Sequence, residues 1–246
     1  MAIDDPISAL ESLNASDERQ RSPVSRLSKP FLAIAKLMVP GAVIGLAGVE
    51  AAENWVDGRA ESNRQELVAI LADELKHAGA MIQKIILASE AQKRFVEDEL
   101  PGLTVDALRR AEQCRAKDRI ARLARILAHA AEIGARDGAD LVEEMMTVAT
   151  GLSELDVLIL RQALLEYHAE TSTHKQEAQR AVAQRAWLRV SEKAGIPDDE
   201  MASVGSKLAS FGLAARVETG QPWAPPIFRP LERGDKFIEY IRSGAR

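Results

Sequence analysis

Cysteine occurs once in the 246 residues, at position 114. A single thiol excludes an internal disulfide framework and fits a reducing compartment. Arg115 beside it would favour a thiolate, but a lone cysteine on a helix reads as packing, so no chemistry is assigned to it. Aromatic residues amount to 4% of the chain, and clusters of β-branched residues are almost absent before residue 214, which argues against a sheet-based fold. No glycine-rich phosphate loop and no serine or cysteine nucleophile pattern is present, and G-A-R-D-G-A-D around Asp137 lacks the ligand spacing of a calcium loop. The opening M-A-I-D-D-P is acidic where an export signal is basic. A formal net charge of −5 gives no overall attraction for nucleic acid or an anionic membrane, so any such binding has to come from local patches. The expectation is a cytoplasmic protein that is not an enzyme and uses neither cofactor nor metal.

A long hydrophobic run is also missing. The uninterrupted apolar stretch from Leu37 to Val49 has 13 residues, about 20 Å as a helix against a hydrocarbon core of about 30 Å. Starting at Phe31 makes it long enough, but Lys36 must then snorkel, and Pro40, Gly41, Gly45 and Gly48 weaken the helix. Two readings follow: an internal small-residue packing hairpin, or a segment that meets the inner membrane through Leu37, Met38, Val43, Ile44 and Leu46. Arg19, Arg21, Arg26 and Lys29 just upstream would suit an anionic leaflet.

What the chain has in quantity is alanine, leucine, arginine and glutamate, the composition of helices. Leu67, Leu71, Leu75, Ala78, Ile82 and Ile85 keep one apolar stripe, predicting a long amphipathic helix from about Glu61 to near Leu100, stopped by Pro101 and Gly102. Thr104 is then expected to cap a second long helix running to Gly134, and two such helices joined by a short turn make an antiparallel hairpin. Residues 50–99 hold 11 acidic and 6 basic side chains and residues 109–125 hold 7 basic and 2 acidic, so the pair is expected to dock partly through charge. Glu97, Asp98 and Glu99 are expected to meet Arg109 and Arg110 across the turn.

A shorter helix from about Gly138 to Thr150 leads into L-S-E-L-D-V-L-I-L-R-Q-A-L-L. There Gly151 ends one helix, Ser153 caps the next, and Glu154 and Asp156 suit its positive end. Leu155, Leu158, Ile159 and Leu165 predict burial over much of that helix's circumference. Further helices are expected from about Lys175 to Lys193, ending at Gly195, and from Asp198 to Gly212. Short strands at 214–218 and 227–231 and a final helix with Phe237, Ile238, Tyr240 and Ile241 follow. The fold class is therefore mainly α: a polar arm and apolar segment over 1–58, a helical hairpin over 59–151, and a smaller α+β unit over 152–246.

Three helices, strand, turn, strand and a closing helix is the order of a winged-helix module, and L-S-E-L-D-V-L-I-L, K-L-A-S-F-G-L-A and P-L-E-R-G-D-K-F-I resemble its first helix, its third helix turning into the wing, and its close. Together with R-I-A-R-L-A-R-I-L-A-H-A, L-V-E-E-M-M-T-V-A-T-G-L-S-E-L-D-V-L-I-L and the S-F-G-L turn, residues 115–215 resemble bacterial proteins of the abortive infection alpha family. That resemblance implies a role in phage defence, with no catalytic residues to carry over. Separately, the expected partner is a protein, and a homo-oligomer is allowed.

Candidate sites are few. Arg115, Arg119 and Arg122, spaced by 4 and 3, predict a basic stripe on one helix face, read either as a solvated or inter-helix charged face or as a nucleic-acid or phosphate contact. Arg216 and Arg229 could bring a wing to a DNA backbone, but Asp198, Asp199 and Glu200 head the helix that would enter a groove, and only Lys207 opposes them. Arg180, Arg185 and Arg189 form a second basic cluster. Glu166, His168, Glu170 and His174 are the one local acid–base constellation; Glu166 and Glu170 share a face, His168 lies off it, and no zinc spacing results.

Overall fold

A computed structural model describes residues 58–173, 178–218 and 225–242, and within the first helix the side chains of 60–75. The segment holding Leu37, Met38, Val43, Ile44 and Leu46 lies outside the described residues. The protein is mainly helical with one two-stranded antiparallel sheet near its carboxy terminus. It divides into two compact units at Thr150–Gly151. Among the described residues, no helix is long and apolar enough to cross a membrane.

In the first unit α1 spans Gly58–Ala88, α2 Glu90–Arg94, a π-helical turn Phe95–Glu99, α3 Leu100–Gln113, α4 Lys117–Asp137 and α5 Ala139–Gly151. The helical hairpin is present, but its reversal lies at Ser89 and not at Pro101–Gly102. Ser89 has extended backbone and its hydroxyl accepts from the Gln92 amide at 3.2 Å, which starts a new helix in a new direction. Pro101 does not stop the chain because it falls in the first turn of α3, where its missing N–H is not needed, directly after a π turn that loosens the ladder ahead of it. Thr104 caps nothing; its hydroxyl donates back to the Leu100 carbonyl at 2.8 Å.

The second long helix is instead broken at 114–116. Asn63 on α1, itself buried, donates to the carbonyls of Ala111 and Cys114 at 3.0 and 2.9 Å; Ala111 O also accepts from the Cys114 amide, and the Cys114 carbonyl is the acceptor that the end of α3 leaves open. Because α3 ends back at Asn63, α1 and α3 are antiparallel. α4 then runs parallel to α1: Asn63 with Cys114, Glu66 with Lys117 and Glu74 with Arg125 all keep an offset of 51 residues (114 − 63, 117 − 66, 125 − 74). Leu67 and Leu71 of α1, Leu103 and Ala107 of α3, and Ile120, Leu123, Ile126 and Leu127 of α4 form the dry interior. The small side chains of α4 allow close approach: the Phe95 ring lies where a Cβ on Gly134 would be, 2.1 Å from Cε1. The buried Gln92 amide spans the neighbouring step of α4, donating to Ala131 O at 2.8 Å and accepting from Ala135 N at 2.9 Å.

The second unit consists of α6 Glu154–Thr173, α7 Gln179–Ala194, α8 Asp198–Ser210, β1 Ala214–Val217, β2 Ile227–Pro230 and α9 Glu232–Tyr240. This is the expected order of elements. Gly195 at φ 63° and Gly212 at φ 68° take the left-handed conformations that follow α7 and α8. The strands pair with Ala214 opposite Pro230 and Val217 opposite Ile227. Trp187 of α7 meets Phe228 of β2 at a centroid distance of 5.2 Å and a tilt of 56°. Gly205 of α8 makes room for that Phe228 ring, which a Cβ would approach to 2.2 Å. Phe237, Tyr240 and Ile241 close the core from α9. One expectation fails on α6: Leu158 and Leu165 are 52% and 66% exposed, so the buried surface is narrower than the leucine count implied.

Replacing Asn63 with alanine leaves the Cys114 carbonyl without its donor, while Ala111 O keeps the Cys114 amide, and is expected to lower the stability of the chain by about 1–3 kcal/mol, read from urea unfolding, whereas Glu61→Ala on the same helix should change it by less than about 0.5 kcal/mol.

Candidate functional site

The predicted basic stripe does not form. Arg115 lies in the 114–116 break and is exposed, Arg119 is half-buried with its Nε shut off from solvent without a hydrogen bond, and Arg122 is 2% exposed with Nη2 on the Asp118 carboxylate at 2.7 Å. A spacing of 4 and 3 aligns side chains only if one helix runs through all three, and here the helix begins after the first. Arg110, expected near Glu97–Glu99, bonds Asp106 at 2.6 Å and the Thr147 hydroxyl at 3.0 Å. Burial pushes the Cys114 thiol up from 9.0, with Arg119 and Arg122 opposing that shift. Burial wins, so the thiol is held in its less nucleophilic form.

In the second unit Arg216 and Arg229 do not share a face. Arg216 pairs across the ladder with Phe228, whose neighbour Arg229 therefore projects to the other side. Arg229 also donates to Gln179 Oε1 at 2.9 Å. The hairpin thus offers no two-arginine clamp for a phosphate backbone.

The acidic constellation of α6 and the basic cluster of α7 belong to one structure. Glu170, 2% exposed, accepts from Arg185 Nε at 2.7 Å and pairs with Arg189. Glu166 accepts from Lys193 Nζ at 2.5 Å and from Gln162 at 2.6 Å, and lies 4.0 Å from Arg189. The hydrogen bond from Lys193 is the main cause that holds Glu166 below its ordinary value of 4.5, with burial opposing. Two carboxylates that share a helical face are therefore paired with cations one helix away. His168 turns elsewhere and meets Asp235 at 2.9 Å on the surface, and His174 lies outside the described residues. Among the described residues, no group of three or more histidines, cysteines and carboxylates is placed to hold a metal ion.

The start of α6 holds a further buried carboxylate. Ser153 and Asp156 cap each other, Ser153 Oγ accepting from Asp156 N at 3.2 Å and Asp156 Oδ2 accepting from Ser153 N at 2.7 Å. Lys207 of α8 reaches the same oxygen at 2.6 Å. Burial raises the Asp156 pKa, but the hydrogen bonds from Lys207 and Ser153 outweigh it and the group ends below 3.8. On α8 the single cation, Lys207 in the last turn, is thus tied to α6 while its side chain stays 38% exposed, and Asp198, Asp199 and Glu200 stand exposed on the first turn, about two turns away, without an opposing charge from that helix.

One feature had no signal in the sequence. A cleft of about 320 Å³ lies between α7, α8 and the segment entering β2, floored by Trp187, Met201 and Ile227 and edged by Leu188, Pro225 and Pro226. Arg180, Gln184, Ser191 and Asp198 complete its lining. Leu188 is 47% exposed. The chain matches no family model, no curated protein and no solved structure.

The folded-state pKa values of Asp156 and Glu166 lie below their ordinary ones, so the stability they contribute is complete above those ordinary values and is lost as pH falls through the lowered ones. Urea midpoints should therefore drop below about pH 4, and the drop should be smaller in Glu166→Gln. At neutral pH, Glu170→Ala should cost about 1–3 kcal/mol, less than a fully buried pair because Arg185 and Arg189 keep access to water.

Proposed function

We propose that the chain is a non-enzymatic bacterial defence or regulatory protein of the abortive-infection kind, cytoplasmic, whose winged-helix-like second unit serves as a scaffold for protein contacts. The observation that carries this reading is the first turn of α8. In a DNA-binding winged helix this helix meets phosphates, yet here it presents Asp198, Asp199 and Glu200 to solvent while Lys207 is held by Asp156. Supporting it, the carboxylates that acid–base chemistry would need, Glu166 and Glu170, are tied into ion pairs. Three leucines, Leu158, Leu165 and Leu188, are exposed instead. The resemblance of residues 115–215 to the abortive infection alpha family supplies the biological context.

Duplex DNA titrated into the full chain at low salt should give no binding, and Arg216→Ala with Arg229→Ala should change nothing. Salt-dependent binding that weakens in that double variant would establish a DNA-binding regulator in its place. Cells carrying the gene should yield fewer phage than cells lacking it; equal yields across a panel of phages would remove the defence role.

A further inference from the structure

We infer that the cleft between α7, α8 and β2 is the place where a protein partner is held, and that it takes a peptide segment pairing an apolar side chain with an adjacent lysine or arginine. The inference rests on the protein-contact reading above and adds the location and the chemistry. The volume, about 320 Å³, is that of a small ligand site or one large side chain with its backbone. Trp187, Met201 and Ile227 give an apolar floor that is itself almost fully covered, while Leu188, Pro225 and Pro226 remain as the accessible edge. Prolines on that edge lack N–H groups, so they present apolar surface at little entropic cost.

Charge decides the second half of the ligand. Asp198 belongs to the lining, and Asp199 and Glu200 follow it on the same exposed turn. The positive end of α8 offsets about half a unit of charge, which leaves the three carboxylates strongly negative together. Lys207 does not neutralise them, because it lies in the last turn of α8, about 10 Å or more along the axis, and is bonded to Asp156. Arg180, the one cation among the described lining residues, comes from α7 and offsets about one further unit, so that Asp199 and Glu200 beside Asp198 keep this edge of the cleft net negative. Gln184 and Ser191 offer further donors and acceptors along the same wall, as a main chain laid in the cleft requires. A polyanion or an anionic lipid would meet the carboxylates first and be repelled.

The test uses the full chain, immobilised and probed with a displayed library of random peptides at physiological salt. Enriched sequences should combine leucine, methionine or phenylalanine with lysine or arginine. Synthetic copies should lose binding by about tenfold in Leu188→Glu and separately in Asp198→Lys, and should weaken as salt rises. Both positions are exposed, so folding is preserved, and Glu154→Lys, exposed on α6, should leave binding unchanged. Absence of enrichment, enrichment of acidic or purely apolar peptides, or binding indifferent to both variants would overturn the assignment of the cleft. None of those outcomes touches the broader protein-contact reading, which duplex binding overturns.

Discussion

Asp156 is the constraint that ties the start of α6 to α8 in the second unit. A carboxylate buried at the start of a helix has to be satisfied, and the Ser153 cap supplies only part of what it needs. Lys207 supplies the rest, which ties the single cation of α8 to α6 even though its side chain stays 38% exposed, and the first turn of α8 carries only acidic charge. One buried charge thus engages the single cation of a neighbouring helix. The same logic operates between α6 and α7, where Glu166 and Glu170 are matched by Arg185, Arg189 and Lys193. Groups that look reactive in the sequence become structural once their partners are in place, and the surface left over is leucine, proline and carboxylate.

The first unit is held by neutral polar groups at comparable points. Asn63 closes the end of α3, and Gln92 bridges a step of α4 beside the close contact of Phe95 with Gly134. Each replaces a backbone bond that a break or a tight approach would otherwise leave open. The glycine and alanine positions of α4 let the helices approach closely, and the amides fix their register, since an amide bonded to a carbonyl cannot slide by a turn without losing both partners.

Local chemistry was legible in the sequence. Ser153 as a cap, Gly195 and Gly212 as helix ends, the two short strands and the order of elements after Leu152 all rest on effects within a few residues. The charge contrast between α1 and residues 109–125 was also legible, and Glu66–Lys117 and Glu74–Arg125 follow it, while Arg64–Glu112 reverses it. Breaks and directions were not legible. Pro101 reads as a stop unless the π turn before it is known, and the break at 114–116 is completed by Asn63, which lies 51 residues away from Cys114. The candidate sites failed for the same reason: Arg122, Arg189 and Lys207 read as free cations until their carboxylates are located.

The central claim, that the buried carboxylate of Asp156 holds Lys207 in a pair that ties α8 to α6, is tested most directly by a double-mutant cycle on Asp156→Asn and Lys207→Met in the full chain. A coupling of about 1–3 kcal/mol in unfolding free energy is predicted. Coupling near zero would contradict the account, because the two side chains would then not hold each other.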